Sequence, residues 1–246
     1  MSGNAHKVQE LSASFPWLDL LTLRDYPIAA EPVEDSDTFE GNALIKASAG
    51  LAHLRALSDS KARLIEDTPS LIEVMTLSSS LSLADDSGVC VDALDGAPGV
   101  LSARYAPGSD AHRTRALLDA LTAAGAHEPS ARRARFICVL ALCGLTEGDA
   151  ERLGDLSAFP GLTWGWSAAG ERALIAEGCC EGSIALTPRG AGGFGYDPVF
   201  LLPDGRCVAE LSEREKAAIS HRGAAVRALA PALRALFSKN KNTENI

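Results

Sequence analysis

The sequence predicts an α/β fold, and three observations carry that prediction. Segments with the period of amphipathic helices alternate along the chain with short apolar runs that are typical of strands. One of these runs, residues 136–142, is continuously apolar, as expected of a strand buried on both faces. The chain has 246 residues, 46% of them hydrophobic, which is enough to bury a core without disulfides.

The first third of the chain predicts two helices and one strand. Residues 4–14 have helical spacing, and two prolines bracket a candidate strand at 18–23. Asp37, with an acidic residue three positions later, marks the start of a second helix that runs over 37–54. Residues 58–80 are rich in Ser and show no clear period, so we expect an insertion there.

The middle of the chain predicts strands around a tight turn. Residues 81–84 and 89–94 have strand patterns, and the sequence between them, Asp-Asp-Ser-Gly at 85–88, is typical of a turn. A helix is predicted over 111–124. Residues 145–172 mix Gly, Trp and charged residues without a period, and we expect a second insertion.

The last part predicts a strand, a glycine-rich loop and two helices. The strand covers 178–186 and the loop covers 188–197, followed by an apolar stretch at 198–202. Ser212 with Glu215 forms a capping box that opens a short helix. Gly223 is expected to separate this helix from a closing helix over 224–237.

Charge limits the classes of partner. The net charge is −9 and the pI is near 5.1, so the chain lacks the basic surface that holds long nucleic acid. A phosphate-bearing partner is therefore expected to be small, held by a few local cations and a divalent metal. The sequence shows no membrane-spanning run and no signal pattern, so we expect a cytoplasmic protein with no membrane partner. Its six cysteines include no CxxC pair and are expected to be reduced.

Two segments in the first fifth of the chain could bind phosphate. Residues 2–7, SGNAHK, open a predicted helix, where backbone N–H groups favour an anion, although a hydroxyl cap explains them equally well. Asn42 and Lys46 share one helix face with small apolar residues. The Lys46 charge either points into a cleft or reaches back to solvent along its own stem.

Two later segments offer carboxylates and a place for a base. Asp85 and Asp86 follow each other on an extended chain, so their side chains point to opposite faces and can divide roles between metal binding and support, unless the segment is an ordinary turn. The loop 190–197 has four glycines and two aromatic rings on which a base could stack. A cluster of cations follows at 216–222, as also happens at many helix ends.

Six blocks in this order carry a resemblance to a known family. They read SGNAHK, DTFEGNALIKA, ADDSGVCVDALDGAPGVLSARYAPG, RRARFICVLAL, GGFGYDPVF and AELSEREKAAISHRG. Together they resemble the inosine triphosphatase family, the pyrophosphatases that remove deaminated purine nucleotides. The resemblance implies an α/β fold with an elongated mixed central sheet, flanking helices, and a cleft between two lobes. It also implies a homodimer and the Mg²⁺-dependent hydrolysis of ITP, dITP and XTP to the monophosphate and pyrophosphate.

The resemblance also implies roles for matching residues. The triphosphate would be held by Ser2, Gly3, Asn4, Ala5, His6, Lys7 and Lys46. Asp86 would bind the metal and act on water, with Asp85 beside it and Ser87 at the substrate. The base pocket would comprise Phe194, Gly195, Tyr196, Asp197, Lys216, His221 and Arg222. The second metal ligand falls at Glu34, with Asp35 as its rival, because the spacing to Thr38 is one residue shorter than is usual in the family.

One departure from the family pattern and two alternative functions remain to be considered. Family members begin with an apolar strand before the phosphate-binding turn, whereas only Met1 precedes Ser2 here, so we expect one domain whose first strand belongs upstream of this start. A nucleotide-binding protein that has lost catalysis is one alternative. A pyrophosphatase for another modified nucleotide is the other. A P-loop kinase is disfavoured because the sequence lacks G-x-x-x-x-G-K-[ST].

Overall fold

The computed structural model describes residues 5–18, 32–66 and 81–237. Helices α1 (Ala5–Ser14) and α2 (Phe39–Glu66) come before strand β1 (Ser82–Val91). The later elements are α3 (Asp110–Ala123), β2 (Arg133–Cys143), α4 (Glu147–Leu153), β3 (Leu162–Trp166), β4 (Arg172–Ile184), β5 (Phe200–Leu201), α5 (Glu213–Ile219) and α6 (His221–Phe237).

The described strands form one sheet with the order β1-β2-β4-β3, and β5 pairs with the end of β4. The α/β class is confirmed. Strand β2, predicted from its apolar run, lies between β1 and β4 and is largely buried, as expected. Every pairing between described residues is antiparallel, so the mixed sheet that was expected is not seen within these ranges.

Two helices cover opposite faces of this sheet. Helix α2 packs its small residues on one face, and the buried side chains of this contact are Ala43, Leu44, Ala47, Leu51, Ala84, Val139, Ala141, Ala173 and Ile175. Helix α6 packs on the other face, with Leu140, Leu142, Leu174, Ala176, Ala225, Leu229, Ala232 and Leu233. Gly178 of β4 permits this approach, because a Cβ there would lie 2.1 Å from the carbonyl oxygen of His221.

The turn expected at 85–88 is wrong. Strand β1 continues through these residues and pairs with β2 from Ser82 opposite Cys143 to Val91 opposite Ala134. The local turn preference of Asp-Asp-Ser-Gly is overridden because an unbroken ladder with β2 satisfies the backbone hydrogen bonds. The two acids therefore lie within a strand and not at its end.

Two helix boundaries also differ from the expected ones. Helix α2 begins at Phe39, because Thr38 and not Asp37 supplies the capping oxygen, accepting from the Gly41 N–H at 3.1 Å. Helix α6 begins at His221 and not after Gly223, because extended Ser220 accepts from the Gly223 N–H at 3.1 Å. The capping box of α5 is confirmed, with Ser212 and Glu215 bonded to each other's backbone.

The two expected insertions contain regular structure. Residues 58–66 continue α2, and 67–80 lie outside the described residues. The second segment, 145–172, forms α4 and then β3, which pairs with β4 as part of the sheet. The candidate strand at 18–23 also lies outside the described residues, apart from its first position.

Two findings concern the whole described part of the chain. None of its helices is both long enough and apolar enough to span a membrane. The six cysteines all lie within it and form no disulfide.

Candidate active site

Strand β1 presents two consecutive carboxylates to opposite faces of the sheet, and Asp86 lies on the face that α2 covers. The Lys46 ammonium of α2 donates to Asp86 Oδ1 at 2.7 Å and lies 3.4 Å from Glu34 Oε2. Lys46 is buried, so its charge points into the molecule and does not return to solvent along its stem. Two carboxylates and one cation thus meet at a single point.

The segment that carries Glu34 is held by two side chains. Asn42, which is fully buried on α2, accepts from the Ser36 N–H at 3.1 Å through Oδ1. Arg104 donates to the Glu34 carbonyl oxygen at 2.9 Å. The backbone that follows Glu34 is therefore fixed. The Glu34 carboxylate is held 3.4 Å from Lys46 Nζ, whereas Asp35 is exposed. The geometry favours Glu34 over Asp35 as the partner of Asp86.

Asp85 points to the other face and meets α6. Arg222 donates through Nη2 to Asp85 Oδ2 at 2.9 Å and lies 3.3 Å from Ser87 Oγ. The Ser87 hydroxyl also donates to Asp85 Oδ2 at 3.1 Å. Burial acts to lower the pKa of Arg222, but the combined interactions with Asp85, Cys138 and Glu10 outweigh it, and the pKa is raised.

Glu10 of α1 joins two of the predicted cations. Its carboxylate contacts the Arg222 guanidinium and lies 3.0 Å from Lys216 Nζ. Glu10 is not among the site residues predicted from the sequence. A signal for it was available, because Glu10 lies three positions after Lys7 and so on the same face of α1.

Lys216 connects this group to the glycine-rich loop. Its ammonium donates to Asp197 Oδ2 at 2.9 Å and lies 4.5 Å from the centre of the Phe194 ring. Asp197 also accepts from the Phe194 N–H at 2.9 Å. Gly193 makes this possible, because its φ is +71° and a Cβ there would lie 2.1 Å from Asp197 Oδ2.

Burial and charge act against each other in this pair. Burial raises the pKa of Asp197, and the nearby Lys216 only partly offsets the effect. Burial acts to lower the pKa of Lys216, but the charges of Asp197 and Glu10 outweigh it and raise that pKa. Lys216 is therefore a firmly charged cation beside an aspartate that is easier to protonate than usual.

Tyr196 does not offer the stacking face that was expected. Its ring is buried in the core, and its hydroxyl donates to the Ser102 carbonyl oxygen at 2.9 Å. Phe194 is only half-buried and is the ring that remains available to a base. His221 is also buried, stacked on Phe136 with ring centres 4.7 Å apart. A narrow recess lies beside these groups, lined by residues that include Phe136, Asp197, Lys216, Ser220 and His221.

The predicted site residues thus fall into several groups. One group, Lys46, Glu34 and Asp86, meets on the face that α2 covers. A second group is joined around Arg222 and Lys216 with the help of Glu10, and its predicted members are Asp85, Ser87, Arg222, Lys216, Asp197 and Phe194. Gly195 lies in the loop next to Phe194, and Tyr196 and His221 are buried. Ala5, His6 and Lys7 lie in α1, the helix that carries Glu10. Ser2, Gly3 and Asn4 lie outside the described residues.

The charges of these two groups suit a divalent cation. The described residues contain no group of three or more His, Cys, Asp or Glu side chains arranged to hold a metal. Mg²⁺ does not require one, since it commonly takes one or two carboxylates together with substrate phosphates. Each group has one carboxylate more than it has cations. Glu34 and Asp86 face Lys46, and Glu10, Asp85 and Asp197 face Lys216 and Arg222. An anionic substrate therefore needs further positive charge at this site, and Asp86 with Glu34 is the carboxylate pair suited to bind a divalent cation that supplies it.

Comparison with known proteins identifies the family. The model of the Ham1 family matches residues 1–232. The chain belongs to the Ham1 family. A dITP/XTP pyrophosphatase of Symbiobacterium thermophilum is 40% identical over 201 residues, which is 81% of this chain and 76% of that protein. The dITP/XTP pyrophosphatase of Geobacillus kaustophilus is 37% identical over 226 residues, 91% of this chain and 87% of that one.

Solved structures of Ham1 proteins share the fold. The Ham1 protein of Coxiella burnetii is 33% identical, with a TM-score of 0.65, and the match covers 94% of this chain and 95% of that one. A nucleoside-triphosphatase and dITP/XTP pyrophosphatase of Mycobacterium abscessus is 35% identical, with a TM-score of 0.58, and the match covers 95% and 97%. The predicted resemblance to this family is confirmed.

Proposed function

We propose that this chain hydrolyses deaminated purine nucleoside triphosphates, namely ITP, dITP and XTP, to the monophosphate and pyrophosphate. The observation that carries the proposal is the pair Asp85 and Asp86. It connects the group around Lys46, which we assign to the phosphates (the phosphate-type centre), to the group around Arg222, which we assign to the base (the base-type pocket). Family membership and the similarity to two dITP/XTP pyrophosphatases support the same reaction.

The first part of the mechanism is charge neutralisation at the phosphates. Attack at the α-phosphorus requires positioning and electrostatic stabilisation more than a covalent nucleophile. Lys46 supplies a buried cation, and Lys7 would add another from α1. Enzymes of this family generally need a divalent metal, and we assign Mg²⁺ to Asp86 and Glu34. When bound, the metal would neutralise phosphate charge and favour ionisation of water.

The second part is the orientation of water and base. Asp86 would orient the attacking water, and Asp85 would hold Arg222 in place from the other face of the strand. A 6-keto purine presents an acceptor where adenine presents an amino donor. Cationic donors such as Lys216 would therefore favour inosine and xanthine, while Phe194 would stack on the base.

A panel of nucleotides tests this function. The protein is incubated with Mg²⁺ and ITP, XTP, dITP, GTP, ATP or CTP, and pyrophosphate and orthophosphate are assayed separately. We expect pyrophosphate from the first three. Binding without turnover would support an inactive nucleotide-binding protein, preference for CTP would support another pyrophosphatase, and orthophosphate release would contradict attack at the α-phosphorus.

The remaining expectations stay predictions. A homodimer is tested by light scattering of the purified chain. The cytoplasmic location is tested by fractionation of the source cells. The single domain with insertions at 58–80 and 145–172 is tested by limited proteolysis, in which β3 of the second segment should resist cutting together with the rest of the sheet.

A further inference from the structure

Helix α3 grips the backbone of the loop that the proposed function assigns to the base. The Gly195 N–H donates to Asp110 Oδ2 at 2.6 Å, and the Gly195 carbonyl oxygen accepts from Thr114 Oγ1 at 3.3 Å. Both side chains come from the first two turns of α3. One peptide unit on each side of Gly195 is therefore bonded to the same helix.

This grip acts at a point where the loop is bent. Gly195 has a φ of +63°, a conformation that side-chain-bearing residues rarely adopt. Its neighbour Phe194 carries the half-buried ring, and its neighbour Tyr196 is anchored to Ser102. Fixing Gly195 thus sets the direction in which the Phe194 ring projects.

Asp110 is itself fixed in place. Arg113, one turn later on α3, contacts Asp110 Oδ1 and donates to the Gly108 carbonyl oxygen at 2.8 Å. One oxygen of the Asp110 carboxylate therefore contacts α3, and the other accepts from the loop. A hydrogen bond to a charged acceptor is stronger than one between neutral groups, so the Asp110 bond to Gly195 is expected to be stronger than the Thr114 bond.

We propose that Asp110 and Thr114 are positioning residues for base recognition, acting on the substrate only through the Gly195 backbone. Neither residue belongs to the network around Asp86, and the inference rests on the proposed function of the 194–197 loop. Loss of the two bonds loosens the peptides on both sides of Gly195 before substrate binds, so the cost of ordering them is added to binding and not to the chemical step.

The Asp110→Ala variant tests the charged half of the grip. We expect KM for ITP to rise about tenfold, as for the loss of one hydrogen bond to a charged group, with kcat close to that of the wild type. The preference for ITP over ATP falls, and the affinity for inosine monophosphate, measured by calorimetry, weakens by the same factor. Asp110→Asn keeps an oxygen for Gly195 and should restore much of the loss. Asp119→Ala removes an exposed carboxylate from the same helix and should behave as wild type.

The Thr114→Val variant tests the hydrogen bond from Thr114 to the Gly195 carbonyl oxygen, with little change in side-chain shape. It should raise KM less than Asp110→Ala does, because the bond is longer and neutral, and Thr114→Ser should restore it. Thr122→Val, which removes a hydroxyl bonded within α3, is the matched control.

Two results would overturn the inference. One is an Asp110→Ala protein whose KM, ITP preference and monophosphate affinity equal those of the wild type. The other is a joint fall of kcat, affinity and Tm that Asp110→Asn does not restore, which would indicate a purely structural role. If the wild-type protein releases no pyrophosphate from ITP, the proposed function is contradicted instead. The affinities of the wild type and of Asp110→Ala for inosine monophosphate would still show whether Asp110 positions the loop.

Discussion

Asp85 and Asp86 are neighbours in one strand, yet each carboxylate bonds to a cation from a different helix. Asp86 meets Lys46 of α2 at 2.7 Å, and Asp85 meets Arg222 of α6 at 2.9 Å. The pleat of β1 sends the two side chains to opposite faces, and each face is covered by one of the two helices. A single strand thus links the phosphate-type centre to the base-type pocket.

Replacing Asp86 by Asn should abolish turnover and leave the fold intact. The amide can still accept from Lys46, but it cannot supply the negative charge that orients water and holds a metal, so kcat should fall by about 10³-fold or more. Steady-state kinetics and a thermal melt measure the two effects. Asp92→Asn, an exposed carboxylate just after β1, is the control. Undiminished activity in Asp86→Asn would mean that the metal site is misassigned.

Replacing Lys46 by Met should destabilise the protein. The change leaves the Asp86 carboxylate buried without its cation, a loss that commonly costs about 3 kcal/mol. The free energy of unfolding in urea measures it. Adding Asp86→Asn to Lys46→Met removes the uncompensated charge and should recover part of the loss. Strictly additive effects of the two changes would contradict the coupling inferred from their 2.7 Å contact.

Replacing Lys216 by Ala should weaken the discrimination between ITP and ATP. We expect the ratio of kcat/KM for ITP to that for ATP to fall by about tenfold, the size expected for one charged hydrogen bond. Arg214→Ala removes an exposed cation from the same helix and should leave this ratio unchanged. If Lys216→Ala kept the full preference for ITP, Lys216 would lose its place in the base-binding set.

Acid should weaken substrate binding through Asp197. Its pKa is raised by burial, so it takes up a proton at a higher pH than an exposed aspartate, whose pKa is about 3.9. Protonation removes the charge that holds Lys216 and the Phe194 N–H, so KM for ITP should rise as the pH falls through that raised value. The Asp197→Asn variant is neutral at every pH and should lack this rise. If KM rose equally at low pH in the wild type and in Asp197→Asn, the rise would have to come from another titrating group.

Much of the local structure followed from the sequence because its causes are local. The capping oxygen of Ser212, the apolar run in β2 and the helical spacing of α3 each depend on residues within a few positions of one another. The chemical types in the site were also visible in the sequence, but their assignment to phosphate chemistry came from the six blocks together and not from any single segment.

Other features could not be read from neighbouring residues. The strand through Asp85–Gly88 depends on pairing with β2, which lies about fifty residues later along the chain and overrides a local turn preference. Tyr196 is buried among core residues that are distant in the chain, and its hydroxyl donates to Ser102. The contacts of Glu10 are made with two cations more than two hundred residues away.

The sequence by itself determined which side chains this protein has for binding a nucleotide and, through six short blocks, the family to which it belongs. The tertiary structure decided which of them face one another: Lys46 with Asp86, Arg222 with Asp85, and Asp110 with Gly195. The physical reason is that periodicity and capping act over a few residues. The partner of a buried charge is instead determined by the sheet register and by the helix that packs on that face, and both depend on residues far apart in the chain.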